Sequence, residues 1–554
     1  MRQKIMKYAL QNAVFYEGKA NPKAVLGKVL GSEPSLRPRA GQVRLETEQI
    51  VSEVNRLTLE EQKKKLEALA PELMVKEEKE QEELPPLAGA VEGKVVTRFA
   101  PCPSGPLNIA HLLRAVMISY LYAEKYKGRF LLRFEDTDPT KVRREYYGMI
   151  KEDLKSSGVR VDKVIIQSRR MGEYLKRGEQ LILEGNAYMC TCPAEGFREL
   201  KLKKQNCPCR DNSPKTNLGM WEKALKGGYK PGEITTRLKT SMRDPNPVLR
   251  DPPLFRVMKE KHPLVGTRYK YWPLYNMANC IDDYDYGVTH VFRGKEHEHN
   301  TAVQRMICNA FGWEPPAVVN FGMIYQPGQK IHTRDMKEWI KKGKVSGWDD
   351  PSLNTVRALL RRGYTKEAFR EYALQCGLTK HDIIMNWETF DAMNKKVIDI
   401  LADRYRAVED PVEIDISRCL REWKTKTPGR IKVPVHPDKP DMREIEVRDK
   451  IVIPKADYKR FRGKNVRLID LFNVNLSRKP SLLGGQSHTD IQKIQWVSSP
   501  GVRAELVFPE EKRNIITEKA VKSLKPGDRV QFLRIGFCLL EKSGRKPVFM
   551  FTHK

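Results

Sequence analysis

Apolar residues recur at helical spacing early in the chain. Val25, Leu26, Val29 and Leu30 form one stripe, and the spacing predicts helices over residues 1–75. Thr58-Leu-Glu-Glu61 has the form of a capping box, with Leu66 and Leu69 following on the helix it would start. The chain then turns acidic and proline-rich, so residues 76–93 are expected as a linker. After Gly93 the texture changes. Val95–Phe99 predicts a strand, a Pro/Gly loop follows, and Leu113, Val116, Met117 and Tyr120 mark one face of a helix. Phe130–Phe134 and Val164–Ile166 are further apolar strands. Strand, helix, strand is the signature of a nucleotide-binding, Rossmann-type parallel sheet. An insertion interrupts this texture over residues 190–270, and strand character returns at Val288–Arg293. Residues 301–395 are mainly helical in pattern. From about residue 400, short strands alternate with turns, at Glu444–Ile453, Val466–Val474, Ile494–Val497, Val502–Phe508 and Val530–Leu540, which predicts β-barrels.

A chain of 554 residues exceeds what one core usually serves, so three or four units are expected. No apolar run is long enough to span a membrane, and Met1–Leu10 lacks the apolar stretch of a secretory signal. The formal net charge of +31 changes the picture more than any other bulk property. A surplus of that size points to an anionic partner, and nucleic acid is the usual one. Ten cysteines are too few for a disulfide scaffold in so long a chain, and the expected location is a reducing cytoplasm.

Two segments carry candidate chemistry. Arg98-Phe-Ala-Pro-Cys-Pro-Ser-Gly-Pro-Leu-Asn-Ile-Ala-His111 runs from strand through loop to helix start, where unpaired backbone N–H groups suit a phosphate. The same segment also fits an ordinary helix start capped by Asn108. The second segment is Cys190-Thr-Cys192, then fourteen residues, then Cys207-Pro-Cys209. Four thiolates in two close pairs suit a tetrahedral, structural Zn2+ without an open position; buried thiols are the plainer alternative.

The ordered blocks resemble class I aminoacyl-tRNA synthetases of the glutamyl/glutaminyl subclass, in their archaeal glutamyl form. The first segment is similar to the family's first signature, and Arg133-Phe-Glu-Asp-Thr-Asp138 to the block that follows it. Tyr271–Asn276, Gly287–Glu296, Val345–Pro351, Gly536–Leu539 and Phe549–Lys554 resemble later blocks in the same order. The resemblance implies a Rossmann-type catalytic domain in two halves, 94–189 and 271–330. It also implies an inserted acceptor-stem domain with the zinc site at 190–270 and a signature loop with helical connector at 331–399. Anticodon-binding β-barrels would fill 400–554.

The implied activity is ATP-dependent ligation of glutamate to tRNA(Glu), with Mg2+, through a glutamyl-adenylate, and with activation requiring bound tRNA. The resemblance leaves tRNA(Gln) open as a second acceptor and the N-terminal region open as a site for protein partners. Arg98 would clamp the substrate carboxylate and Glu135 accept the α-ammonium, with Ala100, Tyr275 and Arg293 lining the pocket. A structural ion pair for Arg98 and a core aromatic for Tyr275 are the bland alternatives. His111, with Asn108, would stabilise the phosphate during adenylation. Gly105, Asn108, Ala110 and His111 would contact ATP. In the barrels, Lys455–Lys464, Arg467, Lys479, Arg503 and Arg513 would face tRNA, with Trp496 and Phe537 as stacking aromatics or core residues.

Two departures stand out. Asn108 and Ala110 replace the family's His and Gly in the first signature. In the second, Ile331-His-Thr-Arg-Asp335 places Asp335 where a phosphate-binding Lys is expected, and a carboxylate there repels ATP. Lys330, Arg334 and Lys337 are the candidate substitutes. These changes keep a second class of function in view, a non-catalytic tRNA-binding or regulatory paralogue. A glutaminyl enzyme is a third reading, although Ala100–Leu107 follows the glutamyl version.

Overall fold

The structure, a computed structural model, describes residues 1–554 except 17, 33, 75–83, 327–332, 424–428 and 486–490. Two compact units are defined, Met1–Glu83 and Leu84–Lys554.

The first unit is helical, with helices Arg2–Phe15, Pro22–Ser32, Ala40–Val54 and Leu59–Leu69. Ile5, Leu10, Val25, Val29, Ile50, Val54 and Leu66 close its core. The Thr58/Glu61 capping box forms: the Glu61 amide donates to Thr58 Oγ1 at 3.3 Å and the Thr58 amide donates to Glu61 at 2.8 Å. Leu69, three residues beyond buried Leu66, turns to solvent at 40% exposure.

In the second unit, strands Val96–Phe99, Arg129–Phe134 and Lys163–Ile166 pair in parallel with Arg129–Phe134 central. His290–Gly294 pairs in parallel with Ala317–Phe321. The two pieces join where the Thr289 amide donates to Val96 O at 2.9 Å and the Val96 amide donates to Thr289 Oγ1 at 2.9 Å. The βα crossovers from 96 to 134 therefore form one wall of a sheet whose far side comes from residues nearly two hundred positions later. Residues 84–93, expected as the end of a linker, belong to this body: Leu84 and Leu87 are buried in its core. The Leu87 amide donates to Tyr126 Oη at 2.9 Å. Residues 76–83 of that expected linker lie outside the described residues. The same core takes in Val356, Leu359, Phe369 and Phe390 from the helices after residue 350, so the connector packs as part of the sheet domain.

Within the insertion, strands Ala187–Cys190, Thr235–Leu238, Pro253–Val257 and Tyr271–Pro273 make an antiparallel sheet in that order. This sheet starts before 190 and ends after 270. Its core around Trp221, Phe255 and Trp272 continues into helices Tyr275–Asp285 and Glu298–Ala310 through Met277, Ile281, Val303 and Ile307.

The C-terminal strands form two nested β-bodies. A seven-stranded sheet is flanked on one side by Asp403–Tyr405 and on the other by Ala407–Glu409, with strands from 502–553 between them. Residues 411–498 are inserted into it and form the distal body around Ile451, Val466, Phe472, Ile494 and Trp496. Trp496 and Phe537 are at most 1% exposed, so both are core residues and offer no ring to a nucleobase. Among the described residues no helix is long and apolar enough to cross a membrane.

Gly128 starts the return from helix Met117–Lys125 to strand Arg129–Phe134, and a Cβ there would lie 2.0 Å from Val95 O. Gly128→Ala is expected to destabilise this unit by about 2–4 kcal/mol, because backbone on both sides cannot yield. Thermal unfolding of the variant beside the parent checks it, and an unchanged midpoint would refute the packing.

Candidate active site

The first signature sits at the end of strand Val96–Phe99. Its loop is fixed by backbone bonds to two other segments. The Ile109 amide donates to Asn354 O at 3.0 Å, the Val356 amide to Leu107 O at 2.9 Å, and the Glu135 amide to Pro101 O at 3.0 Å. The Leu107 amide donates to Asp153 Oδ2 at 3.0 Å. Asn108 does cap the helix: its Oδ1 accepts the His111 amide at 2.8 Å. The cap takes up one of the N–H groups that a helix start would otherwise offer to phosphate.

The helix is not uniform, and residues His111–Val116 take π geometry. Arg114, buried within that segment, donates to the carbonyls of Gly322 at 3.1 Å, Gly377 at 2.6 Å and Thr379 at 2.7 Å. This arginine ties the signature helix to the segments on either side of the second signature, a long-range role with no local sequence marker. The His111 side chain is solvent-accessible, yet the surrounding cleft walls desolvate it and hold its pKa below the usual histidine value. Ala100 and Ala110 are half-buried, and Ala110 packs against the core.

Beside this loop lies a buried set of charges. Arg98, 5% exposed, places its Nε 3.5 Å from Asp283 Oδ1, while its Nη2 is buried without a hydrogen-bond partner. Arg133 donates to the same Asp283 oxygen at 2.5 Å and to Glu135 Oε1 at 3.3 Å. Burial alone would raise the pKa of Asp283, but Arg133 and Arg98 outweigh it and hold the carboxylate below its ordinary range. Glu135 is pushed up, because burial there exceeds what Arg133 and Arg98 return. Arg293 donates to Gln304 Oε1 at 3.0 Å and to Thr301 Oγ1 at 2.5 Å; burial and the neighbouring Arg98 lower its pKa. Burial and Glu135 raise the pKa of the Tyr275 phenol, whose ring stacks on His297 at 5.8 Å between centroids. Arg98, Glu135, Tyr275 and Arg293 are therefore brought together. Asp283 and Gln304, which hold the arginines, lay outside the sequence reading because they fall between its blocks.

At the second signature, Lys330, Ile331 and His332 lie outside the described residues. Helix Thr333–Lys341 begins against the first loop: a Cβ on Gly105 would come within 2.4 Å of the Thr333 methyl. The Arg334 side chain is 93% exposed, with its Nε 3.9 Å from Asp335 Oδ1. Lys337 turns the other way. Its Nζ lies 5.1 Å from the centre of the Tyr146 ring, and partial burial and nearby Arg143 lower its pKa. Arg143 itself is anchored by its amide to Pro103 O at 3.2 Å.

The four clustered cysteines converge in the insertion. Sγ separations are 3.6 Å for Cys190–Cys207, 3.3 Å for Cys192–Cys207 and 3.8 Å for Cys192–Cys209. All four sulfurs lie within 4.8 Å of one another. Four sulfurs about 2.3 Å from a central ion would sit about 3.8 Å apart, so the cluster fits a tetrahedral ion.

A parallel nucleotide-type sheet, a capped signature helix and a buried arginine–carboxylate pocket are the features of a class I ligase. Residues 94–400 match the family model for the catalytic domain of class I tRNA synthetases (E and Q), and residues 402–485 and 493–541 match the two models for the anti-codon binding domain of the same enzymes. The chain belongs to this family of class I glutamyl and glutaminyl tRNA synthetases. Within it, the chain is 41% identical over 574 residues to the glutamate--tRNA ligase of Pyrococcus furiosus, covering 99% of each chain. It is 41% identical over 579 residues to that of Thermococcus kodakarensis, covering 100% of both, and 40% identical over 555 residues to that of Methanocaldococcus jannaschii, covering 98% of both.

Asp283 has a lowered pKa in the folded protein, so its contribution to stability is present above its ordinary value of 3.8 and is lost as pH falls through the folded value. Asp283→Asn should cost about 3–5 kcal/mol at neutral pH by leaving Arg98 and Arg133 uncompensated. It should also flatten the acid limb of the stability profile. Unfolding of both proteins from pH 7 down to 3 measures the two effects, and parallel profiles would show that Asp283 carries no such linkage.

Proposed function

We propose that the protein ligates glutamate to tRNA(Glu) at the expense of ATP, through a glutamyl-adenylate. The observation that carries this reading is the buried, unpartnered Nη2 of Arg98 beside Arg293 and Glu135. An unpaired guanidinium nitrogen in the interior is costly unless a ligand completes it. Arg98 shares the carboxylate of Asp283 with Arg133, which also faces Glu135 and, at 3.9 Å, Asp282, while the hydrogen-bond partners of Arg293 are the neutral Gln304 and Thr301. A carboxylate-bearing side chain completes the open nitrogen of Arg98 and gives Arg293 an anionic partner, whereas a neutral amide does neither as well, which favours glutamate over glutamine. Glu135 receives the α-ammonium, and Tyr275 closes the pocket wall with Ala100 near the mouth.

In this reading the α-carboxylate attacks the α-phosphate of ATP and pyrophosphate leaves. His111 donates a hydrogen bond to the phosphate oxygens, and Asn108 holds the turn that presents it. Gly105 lets Thr333 pack close against the loop, and the nucleotide lies along the loop past the Ala110 methyl. Magnesium would neutralise charge on the phosphates. Lys337 replaces the cation missing at Asp335, since it turns toward the first loop while Arg334 points to solvent. In the insertion, Cys190, Cys192, Cys207 and Cys209 would hold a structural Zn2+, which supplies a cross-link to an acceptor-stem domain. Exposed Lys455, Lys459, Arg460, Arg462 and Lys464 on the distal β-body offer a basic surface for tRNA.

A second reading is favoured by Asp335 alone: a paralogue that binds tRNA without activating an amino acid. Charging of total tRNA with labelled glutamate decides between them. Glutamate incorporation supports ligation; tRNA binding without incorporation supports the binding module; incorporation of glutamine alone overturns the choice of amino acid. Glutamate on tRNA(Gln) as well would add a second acceptor.

Two variants follow from the geometry. Arg98→Lys is expected to lower kcat/KM for glutamate by about a hundredfold, since it loses the planar fork, and a parent-like value would remove Arg98 from the pocket. Lys337→Ala should reduce tRNA-dependent ATP–pyrophosphate exchange at least about tenfold, roughly one lost charge-assisted contact, while Arg334→Ala stays near the parent rate. The reverse ranking would assign the phosphate contact to Arg334.

For the metal, elemental analysis should find one zinc per chain. Chelation should lower the unfolding midpoint without touching a Cys207→Ser variant that no longer holds the ion.

A further inference from the structure

Two further cysteines meet in the wall of the amino-acid pocket. Cys280 lies on helix Tyr275–Asp285 and Cys308 on helix Glu298–Ala310, and their sulfurs are 2.7 Å apart. The sulfur–sulfur contacts of the four-cysteine cluster are longer, the shortest being 3.3 Å. Both thiols are 3% exposed and unbridged. A disulfide needs sulfurs about 2.05 Å apart, so two packed helices must close by only a fraction of an ångström.

The surroundings give this pair a reagent path and a consequence. A crevice of about 10 Å³, room for about one water-sized molecule, is lined by Cys280, Asp283, Thr301, Gln304, Arg305 and Cys308. Arg305 is exposed at that crevice, while the contact with Cys308, burial and nearby Asp283 raise the pKa of the Cys280 thiol, so alkaline pH favours the thiolate that oxidation requires. Three of the other lining residues hold the pocket. Asp283 binds Arg98 and Arg133, while Thr301 and Gln304 bind Arg293. A bond between the sulfurs would move the helix that positions one set against the helix that positions the other.

We propose that Cys280 and Cys308 form a disulfide that cross-links the two pocket helices and weakens amino-acid binding in the oxidised protein. The second half rests on the pocket reading given above; the cross-link itself does not. With a small peroxide as oxidant the step balances. One sulfur attacks the O–O bond as thiolate, a sulfenic acid forms and hydroxide departs. The second thiol then displaces the hydroxyl as water, and the S–S bond forms. Two thiols lose two protons and two electrons, and hydrogen peroxide becomes two waters.

The test uses the full-length protein, reduced or treated with hydrogen peroxide, then alkylated, digested and weighed, with glutamate charging measured on the same samples. The expected result is a cross-linked peptide pair containing Cys280 and Cys308. A rise of at least threefold in KM for glutamate should accompany it, reversed by dithiothreitol and absent from Cys308→Ser and Cys280→Ala. Recovery of both residues as alkylated free thiols after peroxide overturns the proposal. So does a cross-link with unchanged KM, or the same KM shift in the two variants, which would place the effect at the four-cysteine cluster. A reduced protein that charges no glutamate counts against the functional reading, and the peptide masses still decide the cross-link.

Discussion

The carboxylate of Asp283 lies between Arg98 and Arg133 with almost no access to water, and three parts of the chain depend on that arrangement. Arg98 is the last residue but one of the first strand of the parallel sheet, Arg133 holds the same place in its neighbour, and Asp283 comes from a helix that follows the inserted domain. Two guanidiniums side by side would repel each other and empty the cleft between the sheet edges. One shared anion holds them, and it does so while leaving a guanidinium nitrogen unspent. A buried ion cluster is a poor source of net stability, and in the function proposed above a further carboxylate completes this one.

Around that cluster the charges are graded. The interior arginines are paired to carboxylates and carbonyls, as Arg114 is to Gly322, Gly377 and Thr379. The much larger excess, part of the formal +31, is carried at the surface, where Lys455, Lys459, Arg460, Arg462 and Lys464 of the distal β-body are exposed. The first kind of cation selects a small anion by shape. The second attracts a long polyanion at range and weakens with salt.

The sequence made the sheet legible because its strands are short, apolar and bounded by glycine and proline, as at Val95–Phe99 and Phe130–Phe134. The capping box and the four-cysteine cluster were legible for a related reason: each is a local pattern whose chemistry needs few partners. What escaped was contact across long separations. Asp283 and Gln304 act only because folding brings them to Arg98 and Arg293. The π segment at His111–Val116 has no marker in composition. Trp496 and Phe537 were ambiguous because an aromatic beside arginines can either stack on a base or fill a core, and only burial distinguishes the two. The sheet of the insertion overruns 190 and 270 because strand pairing continues past the point where composition changes.

The nesting of the two β-bodies sets an order on synthesis. Strand Asp403–Tyr405 leaves the ribosome early, yet its partner is Arg529–Phe532, and Ala407–Glu409 waits for Lys512–Thr517. At about 5–20 residues per second these edges stay unpaired for several seconds while the inserted 411–498 body emerges and folds first. The delay reaches the connector too, because Arg362 donates to Thr552 O at 2.9 Å and Asn394 meets His553 at 3.0 Å. Residues 548–553 thus act as a latch on helices made nearly two hundred codons earlier, so a message cut short before them yields a chain whose catalytic core and tRNA-facing barrels were never joined.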